Sequence, residues 1–88
     1  MKRKLQAIAP EETILERVTA REYKFVVAIK ADHRQCVEHN PPKEELFGTW
    51  VAWGWTTRRD LAVKKLREAH NLAYEAVIVP VILRFPIQ

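Results

Sequence analysis

His33, Cys36 and His39 stand at three-residue intervals, and His70 is the only other histidine. Imidazole and thiolate are zinc ligands, and four such donors complete a tetrahedral site. The spacing matches no standard zinc pattern, and no second cysteine supports it. His33, Cys36 and His39 are therefore weak metal candidates, and a polar loop is the plainer account. A thiol beside two imidazoles is also the raw material of a nucleophile and its base, but nothing in the sequence fixes such a pairing. Asp32, Glu38, Glu44 and Glu45 form an acidic group. Paired carboxylates can exchange protons. Here they lie in and around a Pro-containing stretch, where acids are accounted for by the positive end of a helical turn. With only Gly48 and Gly54, no phosphate-cradling glycine loop can form. The expectation is a non-enzymatic protein with no cofactor and no catalytic residue.

Two other groups point to binding. Lys2, Arg3 and Lys4 open the chain without an intervening acid, and Arg58, Arg59, Lys64, Lys65 and Arg67 cluster further on. Such cations can neutralise phosphates, and the plain alternative is a solvated helix face carrying local ion pairs. Trp50, Trp53 and Trp55 form an aromatic run. Aromatic side chains on a sheet, with cations nearby, are how several single-strand binders stack bases. The third-strand signature of the RNA-recognition motif is not met, because Phe47-Gly48-Thr49-Trp50 lacks its basic residue and has Thr49 at an aromatic position.

The elements that must position these groups are read from periodicity. Tyr23–Lys30 alternates apolar and polar residues and reads as a strand, as do Gly48–Thr56 and Ala76–Phe85. Pro80 cannot donate to a ladder, which predicts an edge strand or a bulge there. Ala62, Val63, Leu66, Ala69 and Ala73 form a helical stripe that starts near Thr57 as cap, with Asp60 three residues later. Asp60–Lys64 and Lys64–Glu68 would be its i,i+4 pairs. Asn71 in a left-handed conformation would end the helix, or it runs on to about Tyr74. Pro10-Glu11-Glu12 favours a helix over residues 10–22, with a strand over Thr13–Val18 as the alternative. Leu5–Ala9 reads as a short first strand. Asn40–Gly48 reads as a helical turn and Arg34–His39 as a hairpin extension.

The fold class is α+β: an antiparallel sheet with one or two helices on one face, in the βαββαβ order of ferredoxin-like folds. A simpler sheet of three or four strands with one helix is the alternative. Unbroken alternation would place Trp53, Trp55, Val77 and Val79 with Val27 and Ile29 under the helices. It would leave Lys24, Val26, Ala28, Lys30, Trp50, Ala52, Ile78 and Arg84 on an open second face. An open face of that composition calls for an occupant.

Length and composition bound the rest. Eighty-eight residues, 48% of them apolar and 30% charged, suit one domain with a thin core. Residues 1–9 would be a basic tail and residues 32–48 a long acidic connection. The longest apolar run, Ala76–Leu83, is too short to cross a membrane as a helix. The single cysteine fits a reducing, cytoplasmic compartment. The leading expectation is an interaction module that binds a protein or itself through Lys24, Lys30, Trp50 and Arg84. The alternative is a DNA- or RNA-binding domain using Lys2, Arg3, Lys4, Arg58, Arg59, Lys65 and Arg67.

Overall fold

A computed structural model describes residues 1–32 and 47–87. Among these residues five strands and one helix occur in the order β1 (Arg3–Ala9), β2 (Thr13–Thr19), β3 (Phe25–Lys30), β4 (Trp50–Thr56), α1 (Arg59–Asn71) and β5 (Ala76–Pro86). The strands make one antiparallel sheet in the order β2-β1-β5-β3-β4. The α+β class and the helix on one face hold. Among the described residues the order is ββββαβ with one helix, and the βαββαβ pattern is not found.

The difference arises at Pro10. Instead of starting a helix, Pro10–Glu12 makes a tight turn in which Glu11 and Glu12 take φ of 62° and 59°. The Thr13 amide donates to the Pro10 carbonyl. Two central residues at positive φ characterise the hairpin turn whose twist matches that of its strands. Thr13, Ile14, Val18 and Thr19 are β-branched and favour the strand beyond the turn. The first nine residues are likewise no tail, because Arg3–Ala9 is a strand paired on both sides.

β5 is the long central strand rather than an edge. Its first half, Ala76–Pro80, pairs with β3, and its second half, Val81–Pro86, pairs with β1. Pro80 sits at the change of partner. The Val81 amide donates to the Lys24 carbonyl, so by alternation the position of Pro80's missing N–H faces the β1 side. Pairing there begins only at Val81, and the proline removes no ladder bond.

The sheet curls so that its inner face closes on itself. Ala7 and Ala9 of β1, Leu15 of β2, Val26 and Ala28 of β3 and Trp50 of β4 form one buried cluster, with Ala52, Trp55, Val77 and Val79 packed against it. On the other face, α1 covers β3, β4 and the near half of β5. There Ile29, Ala31, Ala69 and Tyr74 pack with Val51, Trp53 and Ala76. A bulge at β4 breaks the alternation, since Val27 pairs with Gly54 while Ala28 pairs with Ala52. Trp53 therefore faces the helix and Trp55 faces inward. Gly54 faces the Lys65 side chain of α1, which an added Cβ would meet at 3.4 Å, an ordinary van der Waals contact. β5 also runs in the opposite phase to that expected, with Val77 and Val79 inward and Ala76 under the helix.

The helix ends differ from the expectation too. Arg58 is the N-cap and makes no side-chain capping bond, while Thr56 Oγ1 donates to the Arg58 carbonyl at 3.2 Å. The surface pairs are Arg58–Asp60 at 3.3 Å and Lys65–Glu68 at 3.6 Å. At the other end Ala73, with φ of 63°, takes the left-handed position instead of Asn71. The Ala73 amide donates to the His70 carbonyl and the Tyr74 amide to the Ala69 carbonyl. This is a Schellman closure with alanine in the place usually held by glycine.

Candidate functional site

Trp50 does not stand on an open face. It is 9% exposed and packs in the inner cluster with Leu15. Val26 and Ala28, expected beside it on a free surface, are fully buried. The hairpin β1–β2, whose second strand lies in the segment 10–22 read from the sequence as a helix, is what curls over them. Of the other residues grouped with Trp50, Lys30 is half-buried next to it, with Nζ 5.9 Å from the Trp50 ring centroid. That ammonium also lies 3.8 Å from Glu11 and 3.9 Å from Glu75. Lys24 and Arg84 are exposed at the opposite end of β3. The four residues therefore form no single surface.

The basic group divides as well. Arg3 pairs with Glu22 at 3.6 Å and Lys4 with Glu16 at 3.5 Å, in β1. Arg58 and Lys65 pair with acids of α1. Arg59 and Arg67 are exposed on the helix, and Lys2 is exposed before β1. β1 lies beyond β5 from the strands that α1 covers, so the strand cations and the helix cations belong to separate surfaces. His33, Cys36 and His39, together with Glu38, Glu44 and Glu45, lie outside the described residues. Asp32 is described. His70 Nε2 is 3.3 Å from the Ala76 carbonyl. Among the described residues no three His, Cys, Asp or Glu side chains gather as for a metal, and no helix is long and apolar enough to cross a membrane.

Two surfaces stand out instead. The first is the outer face of β2-β1-β5, on the side of the sheet that carries the helix but beyond its reach. Strand register sets its rungs. Ile14 lies opposite Ile8; Glu16 lies opposite Gln6 and then Leu83; Val18 lies opposite Lys4 and then Phe85. Ile8, Ile14 and Val18 are 49%, 59% and 52% exposed, and Leu83 and Phe85 are each 43% exposed. Large side chains half in water on adjacent rungs make a contiguous patch rather than scattered exposure. A bulge in β5 beside Gln6 and Ala7 produces it, by turning Leu83 outward after Val81 has pointed inward.

The second surface is the open end of the inner face. Leu5, 1% exposed, lies in one rung between Arg17 of β2 and Arg84 of β5. The Arg17 guanidinium carbon is 5.2 Å from the Tyr23 ring centroid, and Arg84 Nη2 donates to the Tyr23 carbonyl at 3.4 Å. The Tyr23 and Trp55 rings are 6.4 Å apart and tilted by 52°. Sequence reasoning missed Arg17 here, whose signal was the alternation Thr13, Leu15, Arg17, which is read only if that segment is a strand, and it grouped Tyr23 with Phe25 and Val27 rather than with this end of the inner face. Comparison with family models, curated proteins and solved structures finds no match to this chain.

Proposed function

We propose that this chain is a non-enzymatic interaction domain that pairs with a second copy of itself through the outer face of β2-β1-β5. The observation that carries the reading is the exposed apolar rungs of Ile8, Ile14, Val18, Leu83 and Phe85. Burying them stabilises an assembly by about 25 cal/mol per Å² of apolar surface, less the cost of association. The charges on this face favour a second copy over an oppositely charged partner. Lys4 and Glu16 both point from it and balance each other. A two-fold stack can set each Lys4 against the Glu16 of the other copy, as a self-complementary interface requires. The reading keeps the expected class, self-binding through a sheet face, but moves the face from Trp50 to the opposite side of the sheet.

Sedimentation velocity over a concentration series tests it. The expected outcome is a reversible dimer in the wild type, with Ile14→Lys and Val18→Lys each shifting it to monomer while the circular dichroism spectrum is retained. Both positions are exposed on an edge strand, so the substitutions bury no charge in the monomer. A wild type that stays monomeric to millimolar concentration overturns the reading. So does a dimer that survives both substitutions.

A further inference from the structure

We infer that the open end of the inner face binds single-stranded nucleic acid, with Arg17, Lys24 and Arg84 holding phosphates and Tyr23 and Trp55 stacking against bases. The inference does not rest on self-association. Arg17 and Arg84 point to the inner side of strands whose next residues, Val18 and Phe85, point outward.

Three observations converge. The first is charge. Arg17 and Arg84 flank Leu5, and Lys24 is exposed just before β3, where its amide donates to the Thr56 carbonyl and its carbonyl accepts from the Val81 amide. Arg3 joins them two residues before Leu5. Among the described residues, the only carboxylate paired with this group is Glu22, on Arg3. Arg17, Lys24 and Arg84 make no ion pair among those residues. Cations without internal counter-ions are the ones whose release of solution ions drives phosphate binding.

The second is aromatic surface. Trp55 packs on the inner cluster, Tyr23 lies against it, and both rings are half-buried. A ring held on one side and open on the other is a stacking platform, and every base has a face to offer it. Arg17, already over Tyr23, adds a guanidinium plane to the same platform. The third is exposure. Arg17, Lys24 and Arg84 are exposed at this end of the sheet, where the phosphates and separated bases of a single strand can reach them, whereas a duplex keeps its bases stacked inside. An acidic peptide would satisfy the cations but leave the two rings unused, so the single strand is favoured.

Fluorescence anisotropy with a labelled twelve-nucleotide oligothymidylate tests the proposal. Binding is expected at low salt, with quenching of tryptophan fluorescence. Three phosphate contacts on a single strand give a log–log salt slope of about −2, or roughly a twentyfold loss between 50 and 200 mM salt. Arg17→Gln and Arg84→Gln should each flatten that slope by about 0.7, and Arg84→Lys should restore it. Tyr23→Leu should weaken binding with the slope unchanged. Arg59→Gln with Arg67→Gln, on the helix, should change nothing. Circular dichroism checks that each variant is folded. Four results overturn the proposal: no anisotropy change at low salt, loss through the helix variants alone, equal affinity for duplex DNA, or full competition by polyglutamate at equal charge. The last would assign the site to an acidic protein.

Discussion

Trp50 and Ala73 show how single residues carry this small structure. Trp50 links β4 to Leu15 of β2 across the inner face. Truncating a large buried aromatic costs about 3–5 kcal/mol, a large share of the roughly 5–15 kcal/mol that stabilises a typical domain. Trp50→Ala should therefore leave the chain largely unfolded at 37 °C, seen as loss of a cooperative thermal transition. Retention of that transition would mean that the curl does not depend on the indole. Ala73 holds φ of 63° at the helix C-terminus, a conformation that costs an L-residue about 1–2 kcal/mol and glycine almost nothing. Part of the gain on substitution is offset by the greater freedom of glycine in the unfolded chain. Ala73→Gly should raise stability by about 0.5–1 kcal/mol, or about 3–6 °C in Tm for a domain of this size. A lowered Tm would show that the Schellman closure is not held in solution.

At the scale of elements, the β1–β2 hairpin decides most of the departure from the sequence reading. Its turn places Glu11 and Glu12 at positive φ, where Asn-Gly is the favoured pair. Glu11 faces Lys30 across the sheet at 3.8 Å, whereas the Glu12 side chain is exposed to solvent. Glu12→Gly should stabilise by about 1 kcal/mol, measured by urea titration, without altering the strand register. If residues 10–22 were instead the helix suggested by proline and acids at their start, the same change would destabilise by about 1 kcal/mol. The sign of one substitution thus separates hairpin from helix. β3, β4, β5 and α1 were all legible from alternation and from the 3.6-residue stripe. The bulges were not, and each shifts the facing of the residues beyond it by one position. Trp55 changes sides for that reason, and Leu83 faces away from the side to which Val77, Val79 and Val81 point.

At the scale of the molecule, among the described residues, the helix covers one half of one sheet face, the curl buries most of the other face, and two exposed regions stand out. One is apolar and electrically balanced, the other cationic and aromatic. Their proposed occupants respond oppositely to salt. Self-association driven by apolar burial persists or strengthens as ions are added, while phosphate binding falls away. Measuring both equilibria across one salt series separates the two driving forces, and the variants assign each to its surface.

The sequence by itself determined the α+β class, the antiparallel sheet, the position of the helix and the separation of basic from acidic segments. These depend on local periodicity and composition, which act over a few residues. It also showed that the apolar content exceeds what one helix can cover. Where the excess lies was decided only by tertiary structure. Pairing of β5 with β1 on one side and β3 on the other joins residues as distant in the chain as Lys4 and Phe85, and two bulges reset the facing of the strands. The curl of the sheet buried Trp50 and brought Arg17, Tyr23, Trp55 and Arg84 to one opening. Such contacts depend on register between distant segments, which no local pattern encodes.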